Sequence, residues 1–137
     1  SPDGASIAFC SNRQGSPQIY RMKITGGSPQ RLTRSGAYNT APAWSPKGDR
    51  IAFVSRNRGQ FDIYTMRPDG SDVQRLTRNA GNNEDPEWSP DGRYLVFSSS
   101  RLGRKKLFIM DHKGGHQAQL TQGQGDDTSP AWSYWLQ

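Results

Sequence analysis

Cysteine is nearly absent. Cys10 stands alone among 137 residues, so no internal disulfide can form, no thiol cluster can hold a metal, and thiol usage leaves the redox compartment open. Histidine is almost as scarce: His112 and His116 flank Gly114-Gly115 in what reads as a surface turn, too isolated to join a hydrolytic triad or a metal site. No stretch approaches the roughly 18 apolar residues of a membrane-spanning helix, and the N-terminus carries no basic segment followed by an apolar one, so membrane insertion is not expected. G-x-S-x-G, phosphate-loop and H-E-x-x-H motifs are missing too, which argues against catalysis and against a cofactor. Aliphatic bulk is low as well. Leu, Ile, Val and Phe number 21, a share that on composition alone points to disorder.

Pattern overrules composition. Trp44, Trp88 and Trp132 are spaced 44 residues apart, and so are Phe9, Phe53 and Phe97; Tyr20, Tyr64 and Phe108; Met22, Met66 and Met110; and Leu32, Leu76 and Leu120. A disordered chain has no reason to keep such a register. Within one period four short strands are expected. Ala41–Trp44 precedes Ser45-Pro46-Lys47-Gly48, which matches a type I turn. Arg50–Ser55 follows, with Ile51 and Phe53 on one face and small Ala52 on the other. A polar loop leads to Asp62–Met66, and Pro68-Asp69-Gly70 turns the chain into Val73–Thr77. Fifteen glycines and nine prolines spread through every period exclude helix.

Four-stranded units of this length are the arithmetic of a β-propeller blade. The fold class is therefore all-β, with three blades forming half of a six-bladed ring. Residues 1–33 read as a first blade lacking its inner strand, 34–77 and 78–121 as complete blades, and 122–137 as a closing inner strand. The surplus strand at one end matches the deficit at the other, so two copies are expected to meet head to tail as a homodimer.

The phrases W-S-P-[DK]-G, I-A-F, D-I-Y-x-M and R-L-T resemble the TolB-type propeller repeat across all three periods. Gly15 to Met22, Gly26-Gly27, Gln30 to Thr33 and the closing Pro130-Ala131-Trp132-Ser133 are similar to the C-terminal part of that family. The resemblance implies a six-bladed propeller with a separate N-terminal α/β domain, residence in the bacterial periplasm and membership of the Tol-Pal envelope system, which serves outer-membrane integrity and cell division. It further implies a non-enzymatic scaffold that binds the lipoprotein Pal and is exploited by some colicins. An accessory propeller of a prolyl-oligopeptidase-like peptidase, and a structural fragment with no ligand of its own, are the alternatives.

Candidate contact residues sit on the face with the longer, more variable loops. Asn39 and Thr40, Glu84 and Asp85, and Asp126 and Asp127 end the inter-blade loops just before each innermost strand. They are expected to line the channel mouth, where they would attract a basic partner segment or hold a hard cation such as Ca²⁺, or else merely solvate the loops. Arg13, Arg56, Arg58 and Arg101, with Arg104, Lys105 and Lys106, would form a basic periphery that either stays solvated or meets an acidic protein surface. The net charge of +6 is spread over repeats and Tyr20, Tyr64 and Phe108 fall at core phase, so nucleic acid is not the expected partner. Tyr134 and Trp135 interrupt the turn motif, either capping the closing strand or forming an exposed contact.

Overall fold

A computed structural model describes residues 1–134; Trp135 and the last two residues of the 122–137 unit lie outside the described residues. Eleven antiparallel strands among these residues form three sheets. The first contains β1 (Ser6–Ser11), β2 (Gln18–Lys23) and β3 (Gln30–Arg31). The second runs β4 (Asn39–Trp44), β5 (Ile51–Asn57), β6 (Gln60–Met66) and β7 (Gln74–Arg75). The third runs β8 (Asn83–Trp88), β9 (Tyr94–Leu102), β10 (Arg104–Asp111) and β11 (Ala118–Gln119). Strand order follows chain order in each, the up-and-down arrangement of a propeller blade.

The inner strands are bulged where proline removes a donor. Pro42 and Pro86 interrupt the ladders β4–β5 and β8–β9 between Thr40 and Ala43 and between Glu84 and Glu87, and Ala41 and Asp85 take up φ of 49° and 54° there. The turn after β4 closes as expected, with Gly48 N–H donating to Ser45 O at 2.9 Å. The loop expected between the second and third strands is instead a tight hairpin. Asn57 pairs with Gln60, and Arg58 and Gly59 both adopt positive φ, which suits a two-residue turn between right-twisted strands. The fourth strands are shorter than Val73–Thr77. The Thr77 hydroxyl accepts the Ile63 N–H at 3.0 Å, ending the backbone ladder, and Thr33 and Thr121 do the same for Ile19 and Leu107.

Alternation along β5 means something other than one buried and one open face. All of Ile51 to Ser55 is buried, because the middle sheet is covered on both sides. Ile51 and Phe53 pack with Ile19, Leu32 and Met66 toward the first sheet, while Ala52 and Val54 pack with Leu95, Phe97 and Met110 toward the third. Full burial of each such large side chain is worth about 1.5–3 kcal/mol. Close approach between sheets also requires glycine at Gly70, where φ is 85° and a Cβ would stand 2.5 Å from Leu32 O. The repeated columns are thus buried where a neighbouring sheet covers them and bare where none does: Leu32 and Leu76 are buried, Leu120 is exposed; Trp88 is buried, Trp132 exposed.

Candidate functional site: the mouth of the inter-blade loops

Each inter-blade loop is pinned to the preceding third strand by one polar pair at a constant 21-residue offset. Asn39 Nδ2 donates to Gln18 Oε1 at 2.8 Å, Asn83 Nδ2 to Asp62 Oδ1 at 3.3 Å, and Lys106 Nζ to Asp127 Oδ2 at 2.9 Å. Gln18, Asp62, Lys106, Asn39 and Asn83 are all buried, so each needs its partner to offset lost hydration. Thr33 and Thr77 hydroxyls donate to Gln18 Oε1 and Asp62 Oδ1, and Arg75 reaches Asp62 Oδ2 at 2.6 Å. The Lys106 ammonium and the Thr121 hydroxyl hold the Asp127 carboxyl below its usual range.

Asn39 and Asp127, expected as contact residues, are therefore joined to these structural pairs. Thr40 is half-buried and paired across to Val54. Glu84 forms an ion pair with Lys105 Nζ at 2.7 Å, which raises the lysine pKa. Asp126 is exposed and accepts the Lys105 N–H at 3.0 Å. Asp85 Oδ2 accepts from Ser98 Oγ at 3.2 Å and Ser129 N–H at 3.3 Å. Equivalent positions Ala41, Asp85 and Ser129, with the prolines after them, converge on one open cleft of about 330 Å³, the inner wall where the three repeats meet. Among the described residues no three His, Cys, Asp or Glu side chains gather where they could hold a metal ion.

The basic residues divide. Arg13 lies over Tyr20 with Cζ 4.7 Å from the ring centre, and Arg101 over Phe108 at 4.3 Å, each capping a stacked aromatic pair, Phe9–Tyr20 and Phe97–Phe108. Arg101 also donates to Asn83 Oδ1 at 3.1 Å; burial lowers its pKa, opposed by the Asp62 charge. Arg56 and Arg58 stay exposed, Arg56 lying 5.9 Å from the Phe61 ring centre. What sequence reasoning missed is the Gln18, Asp62 and Lys106 position. Its signal was the fixed 21-residue offset, hidden because a neutral, an acidic and a basic residue share one place in the repeat.

Three sheets of this order, two of them bulged at the inner strand, with equivalent residues of the three repeats on a common cleft, define a propeller segment. The TolB beta propeller domain family matches residues 1–136. The chain belongs to that family. It is similar to the putative TolB of Agrobacterium tumefaciens, with 34% identity and a TM-score of 0.92 over 97% of this chain and 48% of that one. It is also similar to the TolB of Acinetobacter baumannii, with 34% identity and a TM-score of 0.83 over 94% of this chain and 32% of that one. A 39-residue stretch is 49% identical to the Tol-Pal system protein TolB of Desulfosudis oleivorans, covering 28% of this chain and 9% of that one. The chain thus spans at most about half the length of these TolB relatives. A likeness to solved peptidase structures at 18% identity shows the fold alone.

Proposed function

We propose that this TolB-family segment is a non-enzymatic, periplasmic part of a protein-binding scaffold in the Tol-Pal envelope system, and that it binds a Pal-type lipoprotein at the channel mouth once the ring is complete. The observation that carries the reading is the family match along nearly the whole chain. The mouth adds chemistry that suits a protein partner. Glu84, Asp126 and Lys105 give mixed charge at short range, Asp85 faces the central cleft, and Arg56 and Arg58 stand exposed at the periphery. Rim charges of this kind set orientation and association rate more than bulk affinity.

The test is titration of a ring-complete protein with a Pal-type lipoprotein. Asp85→Asn and Asp126→Asn are expected to weaken binding about tenfold, roughly 1.4 kcal/mol, while Lys47→Ala and Asp69→Ala on the opposite face leave it unchanged. Asp127 is a poor probe because its loss also unseats Lys106. Equal effects from the two faces would remove the mouth from the interface.

A further inference from the structure

We infer that the middle repeat carries an open slot for the guanidinium of a partner protein's arginine side chain, over the stacked rings of Phe53 and Tyr64. Each of the three sheets presents such a pair. Phe9–Tyr20, Phe53–Tyr64 and Phe97–Phe108 have ring centres 6.0, 5.6 and 6.1 Å apart and planes inclined by 25°, 29° and 30°. In the first and third repeats the chain covers its own pair. Arg13 Cζ stands 5.3 and 4.7 Å from the Phe9 and Tyr20 ring centres, and Arg101 Cζ 5.5 and 4.3 Å from those of Phe97 and Phe108. The residue 44 positions from each of these arginines is Asn57, which is too short and has no charge to offer the rings.

What surrounds the middle pair matches what holds the two arginines. Arg13 Nε donates to Ser11 Oγ at 3.0 Å and Arg101 Nε to Ser99 Oγ at 2.8 Å; Ser55 has the same place in its repeat. Arg101 also donates to Asn83 Oδ1 at 3.1 Å, and the counterpart of Asn83 is Asn39. Asn39 gives its amide hydrogens to Gln18 Oε1 and Ser35 O, which keeps Oδ1 as an acceptor. Ser55, Asn39, Phe53 and Tyr64 line one cleft of about 240 Å³. Exposure agrees: Tyr20 and Phe108 are 2% and 5% exposed beneath their arginines, whereas Tyr64 is only half-buried. All of the lining falls between residues 35 and 73, inside the chain.

The chemistry selects the occupant. A guanidinium is flat, stacks on aromatic rings and carries its donors in a fixed fork, so it meets a ring face, a hydroxyl and an amide oxygen together, which an ammonium does not. Arg56 borders the cleft but belongs to the face of β5 opposite Ser55 and Asn57, where it is paired across to Phe61 with Cζ 5.9 Å from that ring. Val73, 54% exposed at the rim, offers apolar contact to the stem of an incoming side chain. No acidic residue lines the cleft and the chain carries a net charge of +6, so charge alone draws in no free cation. An arginine presented by a protein surface, with further contacts around it, fits these terms. The inference goes beyond the Pal reading and is tested without Pal.

The probe is a blocked Gly-Arg-Gly peptide, titrated into the 137-residue chain and followed by amide NMR. Saturable shifts at Ser55, Asn57 and Tyr64 are expected, with a Kd on the order of 1 mM. Peptides with lysine or citrulline in place of the arginine are expected to bind at least about tenfold more weakly. Asn57→Arg supplies the group from within the chain, and is expected to abolish the peptide shifts and to raise the melting temperature. Equal binding of the three peptides, shifts that spare these residues, or undiminished binding to Asn57→Arg would overturn the inference. So would a lower melting temperature for Asn57→Arg, since the slot would then reject the very group it is said to hold.

Discussion

Trp88 donates its indole hydrogen to the carbonyl of Ala43 at 3.0 Å, and this one bond stitches the inner strands of two neighbouring sheets. Trp88 is buried, so its indole N–H has little water to fall back on. Trp88→Phe keeps most of the apolar contact and removes the donor, leaving Ala43 O short of a partner. A loss of about 1–3 kcal/mol is expected, read as a lower urea midpoint with an unchanged slope.

Asp62 gathers more partners than any other acid of the chain's interior. Its carboxylate accepts from Arg75, Thr77 and Asn83 and is fully buried. Asp62→Ala would strand the Arg75 guanidinium, which is 20% exposed. Removing one member of such a pair costs about 3–5 kcal/mol. The chemical denaturation midpoint is the readout, and Asp126→Ala on the surface is expected to leave it almost unmoved.

The 44-residue register was legible because the residues that make it, Phe53, Met66 and Trp88 among them, are large, apolar and repeated in kind. Turn chemistry at Ser45 to Gly48 was legible for the same reason. The role of Asn39 and Asp127 was not. On the chain they read as loop polarity, and only the fold brings Gln18 and Lys106 beneath them. Nor does sequence tell that Arg101 spends its charge over Phe108, since a guanidinium and an aromatic ring attract without any pattern in spacing. Nor does spacing tell the depth of β5: period-2 alternation marks two different faces, and says nothing of whether both are covered.

Gly70 and Gly15 separate backbone strain from steric overlap. Both have positive φ, but a Cβ at Gly70 would meet Leu32 O at 2.5 Å while Gly15 has nothing within reach. Gly15→Ala is expected to cost about 1 kcal/mol from conformation alone. Gly70→Ala adds a clash against rigid backbone and is expected to cost about 3 kcal/mol. Thermal unfolding of the two variants side by side gives the comparison, and similar midpoints would mean that the sheets can part without penalty.

Acid loosens the turn after β10 through Asp111, whose carboxyl keeps its charge to lower pH than an ordinary aspartate. The His116 hydrogen bond and the Gly115 and Lys113 N–H groups lower the Asp111 carboxyl to about 2. A folded value below the ordinary 3.8 means that this acid adds stability above pH 4, and that the gain is lost as pH falls from about 4 toward 2. Asp111→Asn is expected to flatten that limb of the stability profile. The check is the urea midpoint from pH 5 down to pH 2 for the two proteins; identical slopes would deny the turn any role.

The pairs Gln18–Asn39 and Lys106–Asp127 occupy the same place in the first and third repeats with unlike chemistry, which makes them interchangeable by design of the fold. Asp127→Asn leaves the buried Lys106 ammonium with only Gly125 O at 2.8 Å; Lys106→Gln leaves Asp127 without its cation. Either single change is expected to lower the melting temperature. Both changes together rebuild the amide pair of the first repeat, and Thr121, which already serves Leu107 as Thr33 serves Ile19, stands ready to complete it. The double variant is therefore expected to recover most of what each single variant loses, a coupling that a double-mutant cycle isolates. Additive losses would show that the charge of Lys106 is held for something other than pinning its loop, and the mouth of the channel is where that use would be sought.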